Sequence, residues 1–162
     1  MPALQPTFRF LLAHPAHFIA LGFGSGLAPW APGTFGSLAA VPLYLGLALL
    51  MPPLWIALLA IPAFFLGIWA CERTGRALGV SDHGAIVIDE IVAMLPLLAL
   101  APQDWRGMLV ALGLFRLFDI WKPWPIRWFD RHLKGGLGVM VDDAVAALFA
   151  VPFLAWWGYT AF

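Results

Sequence analysis

Between Phe10 and Cys71 the chain carries no Asp, Glu, Lys or Arg. An uncharged run of that length is enough to cross a bilayer more than once, since about 20 apolar residues span the hydrocarbon core. Apolar stretches separated by Pro-, Gly- or charge-bearing breaks predict five spans: Phe35 to Met51, Leu54 to Cys71, Ala85 to Ala101, Gly107 to Trp121, and Val139 to Tyr159. Pro42, Pro62, Pro96 and Pro152 fall inside them, which membrane helices tolerate and which predicts kinks. Phe8 to Phe23, broken by His14, Pro15 and His17, is too short and interrupted for a span and reads as an interfacial or re-entrant helix. Gly22 to Ser37, GFGSGLAPWAPGTFGS, is too rich in Gly and Pro to be regular helix. The predicted fold class is all-α: a polytopic membrane helix bundle of about five spans plus the N-terminal segment, one domain over residues 1–162.

Composition reinforces this. The chain is 62% apolar and 11% charged with a mean hydropathy of +0.88, against roughly 45–50% and about 25% in soluble domains. Arg9 alone precedes the first apolar segment and further spans follow, so no cleavage of an N-terminal signal is expected. A single cysteine, Cys71, allows no intramolecular disulfide. Nucleic-acid binding is excluded for a chain so committed to lipid.

The sparse charge is concentrated. Arg116 to Asp143 holds five of the nine Lys/Arg residues and four of the nine Asp/Glu residues. Arg9, Arg73, Arg76, Lys122, Arg127, Arg131 and Lys134 fall on one side of the predicted spans and only Arg106 on the other, which makes the crowded face cytoplasmic. Asp82, Asp89, Glu90, Asp119, Asp130, Asp142 and Asp143 lie on or just beneath that same face.

Position gives these groups their chemical interest. Asp89 and Glu90 are expected about one turn inside the third span, Arg116 and Asp119 in the last turns of the fourth, and Asp142 and Asp143 in the first turn of the fifth. An ionisable group inside a span costs roughly 2.5–3.5 kcal/mol on insertion scales, so such groups are usually functional and inward-facing. Three carboxylate-bearing helix ends at one depth repel unless a cation sits among them, and oxygen-only ligands suit Mg2+. The plainer alternative pairs Arg116 with Asp119 at helical spacing and leaves the rest as solvated helix ends. Neighbours on a helix point about 100° apart, so one of each adjacent acidic pair is expected to face the centre directly, its neighbour reaching around or supporting it by a hydrogen bond.

Several weaker signals surround this set. Lys122, Arg127, Arg131 and Lys134, interleaved with Trp121, Trp124, Trp128 and Phe129, form a pattern that suits anionic lipids. Thr34 or Ser37 caps the helix after the Gly-rich segment and leaves amides for a phosphate, or that segment is a tight turn. Gly135, Gly136 and Gly138 are open to the same two readings. His14 and His17 suit interfacial polar positions better than metal ligation. CERTGR, Cys71 to Arg76, falls one residue short of the C-x5-R loop of cysteine phosphatases, and other phosphatase signatures are missing. A metal-activated water is therefore the preferred nucleophile, with carboxylate attack the alternative.

Four stretches in order, GFGSGLAPWAPGTFGS, SDHGAIVIDE, FRLFDIWKPWPIRWFD and GGLGVMVDD, together resemble the bacterial phosphatidylglycerophosphatase A family over about Gly22 to Asp143. The resemblance implies a multi-pass, magnesium-dependent enzyme of the bacterial inner membrane. Such an enzyme hydrolyses the terminal phosphomonoester of phosphatidylglycerophosphate to phosphatidylglycerol and phosphate, a step in anionic phospholipid (cardiolipin) synthesis. On that reading Asp89, Glu90, Asp119, Asp142 and Asp143 hold Mg2+ in some combination. Arg116, Lys122 and Arg127, with Thr34, bind the substrate phosphate. Asp82 and His83 join Asp89 and Glu90 as catalytic candidates, serving proton transfer or support. The rival reading is a small transporter or channel with an acidic site near the cytoplasmic face. Transport predicts polar groups spread through the membrane depth or an internal repeat, and the sequence has neither. Oligomeric state leaves no signal in it.

Overall fold

The computed structural model describes residues 5–161, and over them the chain forms helices and no strands. In order these are α1 (Phe8–Leu12), α2 (Pro15–Ala20), α3 (Pro32–Ala48), α4 (Pro53–Leu78), α5 (Ile88–Leu100), α6 (Trp105–Trp121), α7 (Ile126–His132) and α8 (Gly135–Ala161), with a 3-10 turn at Gly22–Leu27. The bundle is built around α5, which packs against α3, α4, α6 and α8. Its sequence IDEIVAMLPLLAL has no polar stripe because each of its faces meets another helix.

Five apolar helices stand where five spans were expected, with shifted ends. Two of them, α4 and α8, are long and apolar enough to cross a membrane. The apolar α3 is shorter at 17 residues. At 13 residues α5 is about 20 Å long, short of the ~30 Å hydrocarbon core.

The shifted ends have local causes. Pro32 sits at the first helical position after Ala31 in the left-handed region (φ 45), so α3 starts three residues earlier than expected. Neither Thr34 nor Ser37 caps it: no side chain does, and the Ser37 hydroxyl donates back to the Gly33 carbonyl at 2.9 Å. Helix α4 runs on past Cys71 until Gly79 (φ 76) closes it, which makes Glu72 and Arg76 helical neighbours. Helix α5 starts at Ile88, not Ala85, because the preceding residues bond elsewhere. Ala85 N donates to His83 Nδ1 at 3.1 Å, and Val87 N donates to the Ala20 carbonyl at 2.9 Å.

The N-terminal segment, expected as one interfacial or re-entrant helix, is two short helices divided at Ala13 and His14. His14 Nδ1 accepts from Ala16 N at 3.0 Å and caps α2. The His17 ring stacks on Phe10 with centroids 4.0 Å apart and meets the Phe10 carbonyl at 3.1 Å. Burial pushes the His17 imidazole below its ordinary pKa, and both rings serve packing.

At the end of the bundle away from the acidic residues, polar groups complete one another. The Tyr44 hydroxyl donates to Gln103 Oε1 at 2.6 Å, while Gln103 Nε2 donates to the Leu98 and Ala101 carbonyls at 3.0 and 2.7 Å. Asp104 accepts from Gly107 N at 2.7 Å and caps α6.

Candidate functional site: a recessed carboxylate cavity

Helix α8 fixes the depth of the site. One of its first amides is held by α4: Gly136 N donates to Glu72 Oε2 at 2.8 Å. A Cβ on Gly136 would run into the Ile68 carbonyl, so only glycine lets the two helices lie this close. Gly136 is therefore packed on α4 with its amide taken, while Gly135 and Gly138 border the carboxylate cavity. Asp142 and Asp143 fall about 10 Å below the start of α8, two turns in rather than in the first turn. That is level with the opening of α5, whose first turn carries Asp89 and Glu90. The end of α6 brings Arg116 and Asp119 to the same level, and the chain leaves it through Lys122 in the left-handed region (φ 46).

These residues enclose a cavity of about 250 Å³ lined by Asp89, Glu90, Asp119, Lys122, Asp142 and Asp143. One oxygen each from Asp89, Glu90 and Asp143 lies within 4.8 Å of the others, and the same holds for Asp119, Asp142 and Asp143. Asp143 belongs to both groups. Both members of each adjacent pair therefore come within reach of the centre. The centre is two trios meeting at Asp143 rather than a single point, so side chains about 100° apart both find a place at it.

Burial leaves these carboxylates incomplete. Relative exposure is 8% for Asp89 and Glu90, 7% for Asp142 and 4% for Asp143. Asp89 Oδ1, Glu90 Oε2, Asp142 Oδ1 and Asp143 Oδ2 have no hydrogen-bond partner. Buried polar atoms in native proteins are nearly always paired, and an unpaired buried carboxylate is costly. Two cations offset part of the charge. Arg116 pairs with Asp119 at 2.5 Å and with Glu90 at 3.8 Å, while Lys122 pairs with Asp142 and, at 3.0 Å, with Asp130. Burial alone would lower the Lys122 pKa, but Asp142 and Asp130 outweigh it and hold the ammonium above the ordinary lysine value. Five carboxylates against two cations leave an excess of three negative charges when all are ionised. A donor set of carboxylate oxygens alone, with four of those oxygens unpartnered and that excess charge, fits a hard divalent cation such as Mg2+.

The remaining predicted residues divide. Asp82 lines the cavity near its mouth. His83 does not, its Nδ1 being taken by Ala85 N in the loop before α5. Arg127 is exposed on α7 and outside the lining. Thr34 is half-buried on α3 and likewise outside it, whereas its neighbour Gly33 abuts the site: a Cβ there would run into Glu90 Oε1 and crowd the Arg116 guanidinium. Arg131 and Lys134, expected to face anionic lipids, line the cavity, and so does Asp130. The cavity meets only the last turn of α7, and sequence periodicity carries no information about that.

Comparison with known proteins bears on the same residues. The family model described as phosphatidylglycerophosphatase A matches residues 18–156. A phosphatidylglycerophosphatase A from Escherichia coli is 43% identical over 152 residues, covering 93% of this chain and 88% of the relative. One from Haemophilus influenzae is 46% identical over 149 residues, 91% of each chain. A third relative, from Bacteroides thetaiotaomicron and provisionally named a phosphatidylinositol-3-phosphatase, is 40% identical over 144 residues, 85% of this chain and 89% of its own. No solved structure gives a significant match.

Proposed function

This chain belongs to the phosphatidylglycerophosphatase A family, and from that premise we propose that it hydrolyses the terminal phosphomonoester of phosphatidylglycerophosphate. Water adds to phosphorus, the bond to the glycerol oxygen breaks, and that oxygen leaves with a proton as the alcohol of phosphatidylglycerol. The observation that carries the reading is the set of buried, unpartnered carboxylate oxygens from α5 and α8 facing one cavity beside Arg116 and Lys122.

The roles follow from placement. Asp89, Glu90, Asp119, Asp142 and Asp143 would hold Mg2+. Bound there, the ion would supply Lewis acidity toward a phosphoryl oxygen and favour ionisation of water. Lys122, which lines the cavity between Asp130 and Asp142, and Arg116, held behind the lining by Glu90 and Asp119, would offset the charge that the phosphoryl oxygens gather in the transition state. Arg131 and Lys134 line the same cavity and would guide the anionic headgroup inward. Asp82 is the remaining candidate for returning a proton to the leaving oxygen.

The same reading takes the bundle as one integral-membrane unit of five spans in the bacterial inner membrane, with the cavity open to the cytoplasm. Basic and aromatic residues of α7 would rest among anionic headgroups, and the product would feed anionic phospholipid (cardiolipin) synthesis. Transport is disfavoured because, among the described residues, the buried charged side chains are Asp89, Glu90, Asp142 and Asp143, all at one level. The test is phosphate release from phosphatidylglycerophosphate by the purified protein in micelles, with Mg2+ and with EDTA. Release that stops with EDTA and returns with Mg2+ is expected. Release indifferent to EDTA would remove the metal from the account, and no release in any condition would remove the phosphatase.

A further inference from the structure

Directly beneath the carboxylates lies a second cavity of different character. It occupies about 280 Å³ between α4, α5 and α8, and Asp89 is the one charged residue in its lining. Below Asp89 the walls are Ala93 of α5 and Ala144 and Ala147 of α8, among larger apolar side chains. Small residues at three helices' meeting line leave a furrow that larger side chains would close. Ala93 and Ala147 are buried, while Leu100 and Leu148 on the rim are exposed. The furrow therefore opens sideways, onto the apolar flank of the bundle.

We propose that this furrow holds one acyl chain of the lipid whose phosphate enters the carboxylate cavity, which makes it a chain-length gauge. The inference rests on the lipid-phosphatase reading and adds where the lipid's body lies. Two observations choose this occupant. Asp89 lines both cavities, so the two share a wall, and a molecule with an anionic head and an apolar tail matches the chemistry of the pair. Along α5, the lining from Asp89 to Leu100 runs about 16 Å at 1.5 Å per residue, so the furrow is an elongated apolar slot leading away from the carboxylates. A free phosphate or a soluble phosphomonoester would leave the furrow unused, whereas a phospholipid would place a chain in it beneath its headgroup.

The deep end is the place to intervene. Ala60 of α4 and Val151 of α8 line it, half-buried and away from the acidic residues. Ala60→Phe and Val151→Phe would each shorten the furrow from below. Short-chain and long-chain phosphatidylglycerophosphate are presented at equal surface fraction in the same Mg2+-containing micelles. Each block is expected to lower kcat/KM for the long-chain lipid by roughly tenfold while the short-chain rate holds within about twofold. In parallel, the wild-type protein is irradiated with phosphatidylglycerol bearing a diazirine at its acyl terminus. Label is expected on Leu97, Leu100 and Val151 and is expected to fall in the blocked variants.

Equal losses on both lipids, or no loss on either, would overturn the gauge. So would label spread over outward-facing α4 positions such as Leu58 and Phe65. Should the protein release phosphate from neither lipid, the phosphatase reading falls, while the labelling pattern still decides the furrow.

Discussion

The bundle has a polar cluster at each end, and the two are built on opposite rules. Around Tyr44, Gln103 and Asp104 each side chain finds a partner: Gln103 accepts from Tyr44 and donates to two carbonyls, and Asp104 holds the first turn of α6. Around Asp143 the opposite holds. Buried carboxylates from two helices leave four oxygens unpaired, and two cations cannot balance them. A satisfied network ties helices together. An unsatisfied one at a cavity is a place where the fold sets stability aside for a ligand. Burial sharpens the contrast: Gln103 is exposed and Asp104 half-buried, with water at hand, whereas Asp89, Glu90, Asp142 and Asp143 are buried and still unpaired.

Substitutions break the comparison in order of effect. Asp143→Asn neutralises the carboxylate shared by both trios, and its phosphate release is expected to fall by about 10³-fold or more. Its melting temperature in metal-free detergent is expected to hold or rise, because a repulsive charge has gone. A large loss of stability instead would mean that Asp143 is structural. Lys122→Met is expected to cut activity by roughly 10²-fold. It should also destabilise by about 1–3 kcal/mol, since Asp142 loses its buried partner. Tyr44→Phe reverses that pattern, costing about 1 kcal/mol in a denaturation assay with activity within about twofold. Smallest of all, Arg127→Ala is expected to stay within about twofold of wild type in activity, and a hundredfold loss would return Arg127 to the site.

How much of this the sequence carries depends on whether the cause is local. The helices are legible because their apolar runs stop at strong breakers, such as Pro52-Pro53 between α3 and α4. Their ends are less so. Three glycines at 135–138 argue for a loop by propensity, yet close packing on α4 and the Glu72 carboxylate hold them as the first turn of α8. That early start moves Asp142 and Asp143 down to the level of Asp89 and Glu90. Convergence itself is foreshadowed by acidic residues gathering at one ends of three apolar segments in a chain that otherwise avoids charge. Which basic residues reach them is not. Arg127 and Arg131 share a helical face, but the cavity touches only the end of α7, and that follows from how α7 sits on α8. The furrow below is equally silent, because Ala93, Ala144 and Ala147 look like ordinary small residues of membrane helices.

The central claim is that carboxylates from α5, α6 and α8 form one divalent-cation site. Thermal unfolding of the purified protein in detergent, titrated with Mg2+ after EDTA treatment, tests it without reference to turnover. The account predicts that saturating Mg2+ raises the wild-type melting temperature by about 5 °C or more and leaves Asp143→Asn unmoved. A wild type indifferent to the ion, or a variant that shifts as much as wild type, would contradict it.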